Sequence, residues 1–346
     1  MKTTLYSILA AAACGMAFGQ TAYTNPVGYT SQTLAPSSSN IIGINVLKPT
    51  LVSGLVTVVS GADVTASAIN FTTALPTGKS CVLEITSGTA AGTVQDFITW
   101  SGSTITLPAA VTGLAIGDKI SVRAANTLQE LFPAGTLVVS GNLNASAADK
   151  VWIQQANGSY IRYFVKGGLS NPGWHTTANG STIGETLAIT TDIPVLYTDG
   201  LIVQTGASPI SPLVISGEVK KTSSNALVKT GITNLISVVP PVGLTLFTSG
   251  LATQLQVSGN LNASAADKIW IPQYDISGMF TGTYIRYFMK GGLSNPGWHT
   301  TPNGSTIGET LALSVDINLT PGTYIQRVGA SDVEIKFNVP SSYPSF

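Results

Sequence analysis

Charge is what this chain has least of. Asp, Glu, Lys and Arg together make up 9 % of its 346 residues, against about 25 % in an ordinary soluble domain. The 16 basic side chains balance the 16 acidic ones, so there is no electrostatic footprint for a phosphate backbone or an anionic lipid surface, and nucleic acid is not expected as a partner. A net charge near zero also removes the self-repulsion that holds copies of a protein apart, which favours association. Hydrophobic residues at 44 % exclude a disordered chain. Histidine occurs only twice.

Cysteine and long apolar runs are scarce as well. Residues 1–19 combine Lys2, an apolar stretch from Leu5 to Phe18 and a small-x-small exit at Ala17, Phe18 and Gly19. That is the pattern of a secretory signal cut after Gly19. With Cys14 inside that leader, Cys81 is alone in the mature chain, so no internal disulfide is expected and stability must come from burial and the backbone ladder. Gln20 and Thr21 end the leader's apolar run short of the ~20 residues that span a bilayer. The most apolar later stretch, 236–247, is broken by Pro240 and Pro241. No transmembrane segment is expected after signal cleavage.

What the chain does contain is itself, twice. Residues 138–155, VVSGNLNASAADKVWIQQ, recur at 256–273 as QVSGNLNASAADKIWIPQ, and 160–184 return at 284–308 with few changes. Between the two blocks, 156–159 is replaced by the longer 274–283, as expected of an exposed hairpin tip. A fainter duplication precedes each block. The expected organisation is a signal peptide at 1–19, a first unit at 20–213 with extra material near 51–126, and a second unit at 214–346.

Periodicity favours strands throughout. In 160–165, Ile161, Tyr163 and Val165 share one face and Tyr160, Arg162 and Phe164 the other. Asn171-Pro172-Gly173 suits a type II turn, and Asn179-Gly180 and Asn303-Gly304 are hairpin signals. Short Val-, Ile-, Thr- and Tyr-rich runs between such turns predict an all-β chain of two tandem, related, jelly-roll-like β-sandwich units. Thr127 and Glu130, ahead of Leu131 and Phe132, form a capping box on one short helix near 127–132. No long amphipathic helix is in evidence, which argues against α/β enzyme folds.

In chain order, Pro26-Val27-Gly28-Tyr29, the segment 116–123 (IGDKISVR), Thr127-Leu128 with Leu131-Phe132, Ala148-Asp149, Tyr163-Phe164, Gly173-Trp174 and the proline-and-aromatic ending 340–346 together resemble a family of secreted verrucomicrobial proteins with no assigned biochemical function. The resemblance covers most of the mature chain. It implies export to the outside or cell surface of a Gram-negative-type bacterium and supplies no catalytic residue. An arginine commonly follows the Gly-Trp pair in that family, whereas His175 and His299 stand there in this chain.

Candidate chemistry is thin. Both histidines sit in Gly-Trp-His-Thr-Thr, once per repeat, with no second histidine or cysteine at ligand spacing, so no metal site and no cofactor are expected. Asp149 with Glu185, and Asp267 with Glu309, are conceivable glycosidase pairs, but a retained Asp-Lys is more often a turn or strand-end device. Cys81 lacks a basic neighbour that would lower its pKa. The constellation with positive content is aromatic: Trp152, Tyr160, Tyr163 and Trp174, with counterparts Trp270, Tyr284, Tyr287 and Trp298. Aromatic faces on a sandwich stack on sugar rings, and Arg162 is placed for a cation-π contact between Tyr160 and Phe164. Trp174, His175, Trp298, His299, Tyr160 and Tyr284 are therefore the expected glycan contacts.

The leading expectation is a non-enzymatic extracellular structural protein that associates with itself in a surface coat or filament. Strand addition at 21–34 or 333–339 is its expected mode. A carbohydrate-binding or adhesive module is the alternative.

Overall fold

The computed structural model describes residues 27–96, 98–140, 148–167, 172–177, 186–187, 192–207, 210–239, 243–259, 263–291, 296–301, 310–311 and 316–339. The expected signal peptide, Glu185, Glu309, the two Asn-Gly hairpins and the C-terminal 340–346 lie outside them. The chain is all-β: its described helices run only three or four residues. None of them is long and apolar enough to cross a membrane.

The first unit opens with β1 (Val27–Leu34) and β2 (Ser39–Gly43). An excursion follows through β3 (Thr50–Leu55), β4 (Val58–Ser60), β5 (Asp63–Thr65), α1 (Phe71–Ala74), β6 (Cys81–Ile85), β7 (Val94–Gln95), β8 (Thr99–Ser101), β9 (Thr104–Thr106) and β10 (Lys119–Ala124). The unit then resumes with β11 (Asn126–Thr127), α2 (Leu128–Leu131), β12 (Lys150–Gln154), β13 (Tyr160–Lys166) and β14 (Gly173–Thr177), and closes with β15 (Thr186–Leu187), β16 (Pro194–Val195), β17 (Gly200–Gln204) and β18 (Ile210–Glu218). The second unit comprises β19 (Ser224–Val228), β20 (Thr233–Ser237), β21 (Lys268–Tyr274), β22 (Phe280–Lys290), β23 (Gly297–Thr301), β24 (Thr310–Leu311), β25 (Gly322–Gln326) and β26 (Val333–Phe337).

Both units have one plan. A six-stranded antiparallel sheet runs β15-β14-β13-β12-β17-β2 in the first and β24-β23-β22-β21-β25-β20 in the second, and each is faced by a two-stranded ribbon, β1–β18 or β19–β26. Each ribbon closes a core against its sheet. Leu34, Leu213 and Ile215 meet Ile42, Val151 and Val203 in the first unit; Val228, Ile335 and Phe337 meet Ile269, Ile271 and Ile325 in the second. The excursion has its own core between two four-stranded sheets, with Leu83, Ile85, Ile120 and Val122 packed on Val64 and Ile105. It is a third small sandwich, running from β3 to β10. The join between units falls later than expected: β18 runs through 213/214, and its residues Leu213–Glu218 pair with Gln32–Val27 of the first unit.

Local chemistry explains the elements. On β13, Tyr163 and Val165 pack against the first core, while Arg162, Phe164 and Lys166 are buried on the opposite face, so the expected alternation holds with both faces covered. Thr127 Oγ1 accepts a hydrogen bond from the Glu130 amide at 3.3 Å, capping α2, and the Glu130 carboxylate reaches across to Lys48 at 3.2 Å. Gly173 and Gly297, each following a proline, carry φ of 129° and 132°, where a side chain would be strained.

The units meet reciprocally. β17 contacts β20 while β2 contacts β25, and these are counterparts under the shared plan. Gly200 of β17 lies against Leu235 of β20, and Gly322 of β25 lies against Ile41 of β2, with no room for a Cβ at either glycine. Bonds across the join include Gln154 Nε2 to the Thr233 carbonyl at 2.6 Å, the Leu235 amide to Gln154 Oε1 at 2.8 Å and the Ser237 amide to the Thr198 carbonyl at 2.9 Å. A contact in which i meets j and j meets i is isologous, and it closes on itself. The turn from β12 to β13 abuts this join: a Cβ on Gly158 would strike Ile232. The equivalent turn of the second unit has no such neighbour, and its Ile276 is fully exposed. Space therefore accounts for the six extra residues occurring in the second copy.

Candidate functional site

Four of the six expected glycan contacts are enclosed. In the register of β14 on β13, Trp174 lies opposite Val165 and His175 opposite Phe164, so ring and imidazole point to opposite faces. Trp174 is 8 % exposed and belongs to the first core; Trp298 is 2 % exposed and belongs to the second. His175 and His299 are equally buried, their rings 5.7 Å from Phe164 and Phe288. The turn that carries them does not bring the rings outside, because both sheet faces are covered, and none of the four offers a face for stacking. Arg162 also finds a different partner from the expected one. Its guanidinium lies 5.5 Å from the centroid of Trp152, its cross-strand neighbour, and Arg286 repeats the contact on Trp270 at 5.3 Å.

Tyr160 and Tyr284 behave differently. They start their repeat blocks in different units, yet the reciprocal join brings both to Tyr324, whose phenol is within hydrogen-bonding reach of each. The Tyr284 and Tyr324 rings are 5.7 Å apart, and Phe280, from the longer hairpin of the second unit, continues the row at 5.2 Å from Tyr284. Tyr160, Tyr284 and Tyr324, with Trp152 and Ile202, line a half-open cavity of about 280 Å³, edged by Ser39 and Gln204. Burial pushes the Tyr284 phenol up to about 12 and that of Tyr324 further, so both stay neutral donors. Tyr324 escaped sequence analysis because its counterpart in the first unit is Ile202; only the register shows that the two positions correspond.

Of the conceivable carboxylate pairs, Glu185 and Glu309 lie outside the described residues, and the two aspartates have local roles. Asp149 is buried and accepts from the Val138 amide at 2.6 Å and the Gly206 amide at 2.7 Å. Asp267 does the same for Gln256 and Val328, and adds Arg327 Nη1 at 2.5 Å. Both aspartates fasten loops to the start of a strand. Burial pushes the Cys81 thiol up to about 11, which keeps it protonated. No three His, Cys, Asp or Glu side chains among the described residues come together to hold a metal ion.

Two further clusters mark the joins between modules. Glu84, from the excursion, is buried against Lys220 of the inter-unit linker and lies 3.6 Å from Arg123 Nε; Arg123 in turn bonds Glu218 of β18 at 2.6 Å. Burial lowers the Lys220 pKa, and Glu84 opposes that shift. A cleft of about 650 Å³ opens where all three modules converge, with Asp96 from the excursion, Asp199 from the first unit, and Lys229 and Glu334 from the second on its walls. Burial, then the charge of Asp96, pushes the Asp199 carboxyl up to about 7.

The two ribbons differ in how their edges are held. On the second, the Asn225 amide of β19 bonds the Gly92 carbonyl of the excursion at 2.9 Å, and the Gln254 side chain clasps Lys336 of β26 through both its amide and its carbonyl, at 2.7 and 2.8 Å. On the first, Leu47 pairs with Glu218 at the end of β18, but the outer edge of β1 has no backbone partner among the described residues. Val27, Tyr29 and Val214 are 76 %, 74 % and 59 % exposed on that ribbon. Of the two expected strand-addition segments, the described part of the first, 27–34, has an outer edge without a backbone partner among the described residues, and the one at 333–339 is held at Lys336 by Gln254.

No family model, curated protein or solved structure matches the chain.

Proposed function

We propose that the chain is a non-enzymatic extracellular structural protein, secreted to the surface of a Gram-negative-type bacterium, where it associates with itself in a coat or filament. The leader pattern at 1–19 and the resemblance to secreted verrucomicrobial proteins support the setting. One observation carries the reading: among the described residues the outer edge of β1 has no backbone partner, beside exposed Val27, Tyr29 and Val214, while on the second ribbon β19 bonds the excursion and β26 is held by Gln254. Natural sheets protect such edges with charge, proline or a covering segment, and the described length of β1, VGYTSQTL, has neither charge nor proline. The isologous join is saturated within one molecule, so growth of an assembly needs a separate surface. The ribbon supplies it.

Deleting β1 is a poor test, because Leu34 is a core residue and the strand pairs with β18. Charge on the exposed face is a better one. In sedimentation velocity and negative-stain microscopy over a concentration series, the mature wild type is expected to associate. The Tyr29→Lys/Val214→Lys double variant is expected to stay monomeric at an unchanged melting temperature. A wild type that remains monomeric throughout, or a double variant that assembles equally well, refutes the proposal.

A further inference from the structure

We propose that Trp152, Tyr160, Tyr284 and Tyr324 form a binding site for a neutral saccharide at the join between the two units. The inference is independent of self-association. The cavity has the two properties that a pyranose ring selects: flat aromatic faces for its C–H side, and hydrogen-bonding groups around them for its hydroxyls. The faces are the four named rings; the polar rim consists of Ser39, Gln204 and the tyrosine phenols. All seven lining residues are uncharged, which leaves an anion or an acidic sugar nothing to pair with. Burial keeps the Tyr284 and Tyr324 phenols protonated at neutral pH, and each lies within hydrogen-bonding reach of the other.

Size separates the saccharide from a protein partner. About 280 Å³ lies at the lower edge of the ~300–1,000 Å³ typical of small-molecule sites. Seven lining residues fall far short of the ~20–30 a side that a stable protein interface uses. The site also needs both copies of the repeat. The first unit contributes Trp152, Tyr160, Ile202, Ser39 and Gln204; the second contributes Tyr284 and Tyr324, the last being the counterpart of Ile202. The longer hairpin of the second copy adds Phe280, whose ring packs on Tyr284 at 5.2 Å. Trp152 is held in turn by Arg162, at 5.5 Å from its centroid. A platform whose rings already pack on neighbours loses little conformational entropy on binding.

The mature chain, kept dilute enough to be monomeric, is titrated with cellotetraose, chitotetraose, mannotetraose and maltotetraose to about 10 mM, several times the Kd of a weak millimolar site. Tryptophan fluorescence and calorimetry supply the readouts. At least one neutral tetrasaccharide is expected to saturate, and Tyr160→Ala and Tyr324→Ala are each expected to weaken it about 10-fold, the scale of one lost aromatic contact. Those tyrosines also hold the units together, so Ser39→Arg at the exposed rim serves as the second variant. It is expected to abolish binding at an unchanged melting temperature. The proposal is overturned if no neutral tetrasaccharide saturates the wild type, if a folded Ser39→Arg variant binds as well as wild type, or if only an anionic oligosaccharide such as tetragalacturonate binds.

Discussion

At the scale of single residues, the indole of Trp298 illustrates how a turn-borne aromatic becomes structural. It follows Pro296 and Gly297, yet the strand that begins there aims it into the second core beside Ile269 and Ile325. Replacing a buried Trp by Ala typically costs about 3–5 kcal/mol. Trp298→Ala and Trp174→Ala are each expected to destabilise by that amount in chemical denaturation, with no selective effect on saccharide retention. A stable variant that loses saccharide would return the ring to the ligand. Sequence periodicity did not reveal that both faces of the sheet are covered, so that Trp174 and His175 are buried on opposite sides of it, because the covering depends on layers distant in the chain. The same limit hid the Glu84–Lys220 pair, whose members stand 136 residues apart in different modules. Breaking such a buried pair costs several kcal/mol, yet its net contribution relative to an apolar replacement is small, so its best-supported use is to fix how the modules sit.

At the scale of elements, strands, the short helix, the inserted module and the repeat were all legible, since each rests on periodicity, capping chemistry or self-similarity within one stretch. The join between units was not, because β18 looks like the opening of the second copy until its pairing with β1 is known. The two β-hairpins show the consequence of context. Exchanging 156–159 for the longer 274–283 should separate the units, because Gly158 already abuts Ile232 and the Ala156 carbonyl accepts from Lys229 Nζ at 2.8 Å. Limited proteolysis and a split thermal transition would report this. The reverse exchange, shortening the second hairpin, should leave a single transition. Equal tolerance of both exchanges would contradict the steric account.

At the scale of the whole molecule, three small sandwiches are held by polar joins of unequal sensitivity to pH. Asp199 lies in the three-way cleft with its carboxyl raised from an ordinary 3.8 to about 7, by burial first and Asp96 second, while Asp96 is itself raised by burial. A folded-state value above the unfolded one means that folding favours the protonated acid. Its contribution is therefore complete below about pH 4 and is lost as pH rises through 7. Lys229 and Glu334 face the same cleft and share in the balance. Thermal melts should accordingly show a lower Tm at pH 8 than at pH 5. Asp199→Asn should flatten that slope and raise the Tm at pH 8. A wild type equally stable at both values would exclude strain at this join.

In the proposed assembly the first ribbon, whose outer edge has no backbone partner among the described residues, meets another copy, while its counterpart is held from within the chain. Hydrogen–deuterium exchange at rising protein concentration tests this most directly. Amides of 27–34 are expected to gain protection as assemblies form, while those of 224–228 are already protected in the dilute protein and do not change. Assemblies that form with exchange at 27–34 unaltered would contradict it.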